Sequence, residues 1–168
     1  RLSLAHLATQ PLEPHRFVIA DILPAGVVTL LGGHGGAGKS MLALTAAVCM
    51  TMGRKFMGMA TERCRVVFFS AEDPAPVVQR RVAKLCRRMQ VDPVELDRWL
   101  LVLDATEAPT LYDGRSPQPA LEGLRAEVTA FNPGAIVIDN ASDTFDSNEI
   151  ERARVREFVR LLAALGKP

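Results

Sequence analysis

One stretch limits this chain to a small set of folds: Val27-Val28-Thr29-Leu30-Leu31-Gly32-Gly33-His34-Gly35-Gly36-Ala37-Gly38-Lys39-Ser40-Met41-Leu42-Ala43-Leu44. From Gly33 to Ser40 it matches G-x-x-x-x-G-K-[ST], and it runs from a β-branched, apolar segment into one with helical periodicity. A strand, a glycine loop and a helix in that order is the setting in which the pattern binds phosphate. Gly35, Gly36 and Gly38 lack a Cβ, so the backbone can take positive φ and turn successive N–H groups toward a β-phosphate. A helix starting near Lys39 adds unpaired N–H groups and the positive end of its dipole. The Lys39 ammonium reaches β- and γ-phosphates, and the Ser40 hydroxyl ligates Mg²⁺. The candidate cofactor-binding residues are therefore Gly33, Gly35, Gly36, Ala37, Gly38, Lys39, Ser40 and Met41, with ATP and Mg²⁺ as the cofactors. His34 occupies a permissive position, since only the glycines and the Lys-Ser pair carry a mechanical requirement.

At 168 residues the chain is one domain's worth, long enough to bury a real core. A hydrophobic fraction of 48% beside 23% charged residues is ordinary for a folded globular domain, and a formal net charge of +1 gives no global attraction to nucleic acid or membranes. Three cysteines, Cys49, Cys64 and Cys86, lack metal-ligand spacing, which reads as reduced thiols in a cytoplasmic protein, with neither disulfide nor zinc. No apolar run reaches the roughly 18 residues of a membrane helix, and the first residues lack a signal-peptide core. The start at Arg1 rather than Met reads as a fragment.

Along the chain, residues 1–15, with Pro11 and Pro14, read as an extended lead-in. Phe17 to Leu23 is a short apolar stretch, and Pro24-Ala25-Gly26 is a turn launching a first core strand over Val27–Leu31. Met41 to Met52 reads as a buried helix stopped by Gly53. Arg65 to Ser70 is a second strand whose uniform hydrophobicity implies a sheet covered on both faces. Ala71-Glu72-Asp73-Pro74 closes it and opens a helix over about 75–89. Trp99–Leu103 is a third strand, 104–119 a long loop, 120–131 a helix, Ala135–Asp139 a fourth strand and Asn148–Leu165 a final amphipathic helix, with Ser147 or Asn148 as its cap. Alternating β and α units predict an α/β fold, a mostly parallel sheet flanked by helices.

Two strand ends carry carboxylates, and ligands of open α/β sheets gather outside the carboxyl ends of strands. Asp139 ends a four-residue apolar run, the Walker B pattern, and can hold Mg²⁺ through its water shell opposite Ser40. Glu72, ending the second strand, is a candidate general base for water attacking a γ-phosphate; Asp73 fits a helix N-terminal acid better. The catalytic candidates are thus Glu72 and Lys39, and the metal candidates Ser40 and Asp139.

A glutamate on the neighbouring strand, rather than directly after Asp139, resembles the RecA-like ATPases. Within them, Leu23-Pro24-Ala25-Gly26, Gly33–Ser40, Ala71-Glu72-Asp73-Pro74 with Arg81, and Ile138-Asp139-Asn140 are similar to the RepA-type hexameric replicative helicases, from about residue 17 to the end. The resemblance implies a P-loop ATPase core of a DNA helicase or translocase: Lys39 and Ser40 on phosphate and Mg²⁺, Glu72 activating water, Asp139 supporting the metal, and Arg81 on the phosphates or an adjoining subunit. It implies a homo-oligomer, a hexameric ring, acting on single-stranded DNA in replication, and no membrane partner. It also implies a further core strand, between the phosphate-loop strand and the Walker B strand, followed by an arginine finger and DNA loops, so that residues 1–168 read as one partial RecA-like domain lacking its C-terminal strands.

Other features have plainer readings. Arg80, Arg81, Lys84, Arg87 and Arg88 form a basic helix face that could meet DNA or a neighbouring subunit, but reads first as solvated because no aromatics interleave with it. Glu149, Glu151, Arg152, Arg154, Arg156 and Glu157 alternate in sign as exposed helices do. Two other functional classes fit the same motifs: a nucleotide-switched regulatory or assembly ATPase without helicase activity, and, less well, a small-molecule kinase, for which no Arg-rich lid is apparent.

Overall fold

The computed structural model describes residues 14–148 and 150–166; most of the lead-in over 1–15, Glu149 and the final Lys167-Pro168 lie outside them. In chain order the elements are β1 (Phe17–Ile19), β2 (Leu23–Pro24), α1 (Lys39–Met52), β3 (Val66–Ser70), α2 (Ala75–Met89), α3 (Pro93–Asp97), β4 (Leu100–Asp104), α4 (Pro119–Phe131), β5 (Ala135–Asp139), α5 (Ala141–Thr144) and α6 (Arg152–Leu165).

Everything is built around β3. Its five residues are all buried, and it pairs in parallel with β4 on one side and β5 on the other. Successive side chains of a strand point to opposite faces. Val66 and Phe68 therefore join Leu44, Val48 and Val78 of α1 and α2 in one core cluster, while Val67 and Phe69 join Leu121, Leu124 and Phe158 of α4 and α6 in the other. A strand wetted on neither face has no reason to alternate, which is why this segment reads as continuously apolar. The fold is the expected α/β arrangement, a parallel sheet flanked by helices.

Local signals account for the helix ends. Gly53, at φ 61°, closes α1, the left-handed position that glycine occupies without steric cost. The first turn of α2 has Pro76 and receives a cap from across the sheet, where Asp104 Oδ2 accepts the Ala75 N–H at 2.7 Å. Asp92 caps α3 by accepting the Val94 N–H at 2.9 Å; this helix of five residues is too short to leave a periodic trace in the sequence. At the far end of β4, the Arg63 guanidinium lies 4.3 Å from the Trp99 ring centre and donates to Glu95 at 2.9 Å.

Two expectations are corrected. Val27–Leu31 is not a strand: it pairs with nothing among the described residues, and Val27 and Leu30 are 53% and 80% exposed. Strand propensity records how a side chain suits a pleated, half-buried surface; without a neighbouring ladder to take its N–H and C=O groups, the run stays irregular and hydrates its backbone. The last helix starts at Arg152, not Asn148, and its N-terminal boundary residue, Glu151, makes no side-chain cap. Asn148 Oδ1 instead accepts the Ile150 N–H at 3.0 Å, and Ser147 Oγ accepts from Arg154 at 3.0 Å, so both side chains shape the turn before the helix.

The long loop between β4 and α4 is fastened by aromatics. Tyr112 stacks with Phe145 at 6.0 Å and Phe158 at 6.4 Å between ring centres, and its hydroxyl donates to Glu157 Oε2 at 2.6 Å. That hydrogen bond, helped by desolvation, pushes the phenol from 10.0 up to about 12. Because the folded value lies above the unfolded one, the contribution is fully present below pH 10.0 and is lost as pH rises toward about 12. Tyr112 is the sole tyrosine, so a spectrophotometric alkaline titration should give one tyrosinate transition near 12 in the folded protein and near 10.0 in denaturant. A folded-state midpoint at the denatured value would mean that the Tyr112–Glu157 bond is absent.

Candidate functional site

The register of the sheet assembles the site. Pairing of β3 with both neighbours sets Ser70 opposite Asp104 and Asp139, so the strands end level, and the turn after β3 is stitched to β5. The Asp139 carbonyl accepts the N–H groups of Ala71 at 2.6 Å and Glu72 at 3.3 Å. Ser70 Oγ donates to the Asp73 carbonyl at 2.6 Å, curling the chain so that Ala71-Glu72-Asp73 crosses the carboxyl edge of the sheet.

Opposite that edge lies the glycine loop. Gly36 and Gly38 take φ of 74° and 84°, the conformation anticipated for them; Gly35 does not share it. The loop is closed by the Ala37 N–H donating to the His34 carbonyl at 3.2 Å. Gly38 caps α1 without a side chain, leaving the N–H groups at the helix start aimed at the loop, where an anion gains from both hydrogen bonds and dipole. Lys39 Nζ donates to the carbonyls of Gly33 at 2.8 Å and His34 at 3.0 Å, so its ammonium is held over the loop. Met41 follows Lys39 and Ser40 in the first turn, half-buried.

The two halves meet at one contact. Ser40 Oγ donates to Asp139 Oδ1 at 3.1 Å, joining residues 99 positions apart. The other oxygen, Asp139 Oδ2, is buried without a hydrogen-bond partner. Burial raises the Asp139 pKa; the Ser40 hydrogen bond works against it, and the nearby Glu72 and Asp73 charges add to it. A buried carboxylate with an unsatisfied oxygen, beside a hydroxyl and facing a phosphate loop, is chemically suited to a hard cation. No group of three or more His, Cys, Asp or Glu side chains gathers as a metal site among the described residues, so the protein offers one hydroxyl and one carboxylate, the small donor set that Mg²⁺ uses when phosphates and water complete its shell.

The remaining side chains are paired among themselves. Glu72 Oε2 accepts from Asn140 Nδ2 at 2.8 Å. Arg81, from the second turn of α2, forms an ion pair with Asp73, its second nitrogen donating at 3.3 Å. The sequence-derived residues therefore fall into one neighbourhood, with Arg81 tied to Asp73. Arg80, Lys84, Arg87 and Arg88 stand exposed on α2. The sequence names Asn140 within Ile138-Asp139-Asn140 but assigns it no role, although Asn-x-x-Asp immediately after a Walker B aspartate is a capping pattern: Asn140 Oδ1 accepts the Asp143 N–H at 2.9 Å.

The family model described as AAA domain matches residues 1–167. The chain belongs to the AAA domain family. Membership makes it a nucleotide-binding, AAA-like ATPase of the P-loop type. No curated protein matches the sequence. None of the described helices is long and apolar enough to cross a membrane.

Asp139→Asn tests the cation reading of the buried pair. The amide is isosteric and removes a desolvated charge, so the melting temperature should hold or rise, while nucleotide affinity in the presence of Mg²⁺ should fall about 10- to 100-fold. Unchanged Mg²⁺-dependent affinity would assign Asp139 to folding alone.

Proposed function

We propose that this AAA domain chain is the nucleotide-binding core of a RecA-like ATPase that binds MgATP and, in the full-length protein, hydrolyses it to drive a DNA helicase or translocase. The observation that carries the reading is the Ser40–Asp139 hydrogen bond with Asp139 Oδ2 left buried and unpartnered, next to a loop whose lysine is already held over it.

The roles follow from chemistry. N–H groups of Gly33 through Met41 cradle the β-phosphate, and Lys39 exchanges its loop carbonyls for phosphate oxygens. Ser40, and Asp139 through the ion's water shell, would hold Mg²⁺, which would neutralise charge on the phosphates. Glu72 takes the proton of a water whose oxygen bonds to the γ-phosphorus; the bond from that phosphorus to the bridging oxygen breaks, and its electron pair leaves with ADP. Arg81, released from Asp73, can meet phosphate or a neighbouring subunit. Assembly as a hexameric ring and movement along single-stranded DNA are supported by the resemblance of Ala71-Glu72-Asp73-Pro74 and its downstream Arg81 to the RepA-type helicases, an argument by analogy.

ATP turnover by the full-length protein, measured with and without single-stranded DNA, separates the classes. In the helicase class, DNA raises turnover several-fold, and Glu72→Gln lowers kcat by about 100-fold or more while nucleotide still binds. Turnover indifferent to DNA favours the regulatory or assembly ATPase instead. Normal hydrolysis by Glu72→Gln removes Glu72 from the base role.

A further inference from the structure

Asn140 is placed to act on Glu72 rather than on nucleotide. Its side chain has one acceptor oxygen and two donor hydrogens, and each of these atoms is engaged. Oδ1 accepts the Asp143 N–H at 2.9 Å; Nδ2 donates to Glu72 Oε2 at 2.8 Å and to Asp143 Oδ2 at 3.1 Å. The orientation is fixed by chemistry, because two carboxylates accept only and a backbone N–H donates only. The backbone beneath is fastened as well: Thr144 Oγ1, buried, donates to the Asn140 carbonyl at 3.1 Å, and the Thr144 carbonyl accepts the N–H groups of Leu111 at 2.9 Å and Tyr112 at 3.2 Å. The amide thus sits on a rigid turn at the end of β5 and reaches across to the carboxylate on the neighbouring strand end.

A glutamate in this position needs such a partner. It is exposed, its side chain has three rotatable bonds, and its carboxylate shares the sheet edge with Asp139 and Asp143, like charges that would push it toward solvent. One amide donor facing it holds the carboxylate over the edge while leaving its other oxygen, Oε1, free to take a proton. We propose that Asn140 is a positioning residue for Glu72: it fixes the base by donating to Oε2 and thereby sets the rate of water attack without contributing to nucleotide affinity. This rests on the assignment of Glu72 as the base.

The alternative is that Asn140 serves only as the cap of α5. Asn140→Asp separates the two, because aspartate is as good a cap acceptor as asparagine yet has lost the donor and turns a second carboxylate toward Glu72. In full-length protein, Asn140→Asp and Asn140→Ala should each lower kcat about tenfold or more, with the dissociation constant for a fluorescent ATP analogue within about threefold of wild type, the pattern left when an interaction serves the transition state and not the ground state. In a Glu72→Gln background, followed by single-turnover hydrolysis, adding Asn140→Asp should cost no more than about twofold, since a residue acting through Glu72 has nothing left to position. Wild-type kcat in Asn140→Asp would reduce the residue to a helix cap and overturn the proposal, as would a full additional loss in the double variant or parallel losses of affinity and kcat. If Glu72→Gln alone hydrolyses at the wild-type rate, the base assignment falls and the positioning role falls with it, an outcome distinct from failure of Asn140 alone.

Discussion

The in-register, parallel pairing of β3 with β4 and β5 is the constraint on which the rest depends. It demands five consecutive buried residues at the centre, and so a helical layer on each face, because a doubly covered strand is stable only if both of its faces meet apolar partners. It also brings Asp104, Ser70 and Asp139 level at one edge. From that edge come three separate consequences: Asp104 caps α2, Ser70 turns the chain into Glu72-Asp73, and Asp139 meets Ser40. A slip of one residue would reverse every side chain of the slipped strand: in β5 it would move Asp139 off the phosphate loop, and in β3 it would exchange the residues committed to the two core clusters. Packing and chemistry are therefore specified by one set of hydrogen bonds.

What the sequence discloses and what it withholds divide along physical lines. Features encoded by adjacent residues were legible. The glycines and the Lys-Ser pair of the loop, the apolar run of β3, the strand end at Asp139 and the helix opened after Asp73-Pro74 all lie close to where they were expected. Val27–Leu31 carries as strong a strand signal as β5, and it remains unpaired because pairing belongs to the neighbour and not to the segment. The short helices α3 and α5 rest on single caps, Asp92 and Asn140, with too few residues for any periodicity to emerge. The sequence puts the start of α6 four residues early because Ser147 and Asn148 have capping chemistry, which the fold uses within the preceding turn.

At the candidate site the same division holds. Lys39, Ser40, Glu72 and Asp139 each stand out in the sequence by chemical type, and the structure brings them to one edge. The partnerships are what no linear pattern states: Arg81 with Asp73, and Asn140 with Glu72, the latter spanning 68 positions. Arg81 and Asp73 lie one helix entry apart, so a reader of sequence sees two charged residues at the start of α2 and must await geometry to learn that each neutralises the other. Asp139 is the contrary case, a carboxylate whose environment withholds compensation from one oxygen, and that deficit is more informative about its task than any bond it makes.

Trp99 gives the architecture a practical meaning. It is the sole tryptophan, held under Arg63 immediately before β4 begins, whereas the loop, Asp139 and Glu72 lie beyond the opposite ends of the strands. The chain's intrinsic fluorophore is thus set a full strand length from the phosphate loop, roughly 17 Å for five residues. A fluorophore so placed is suited to follow the integrity of the sheet rather than the occupancy of the loop at the far edge.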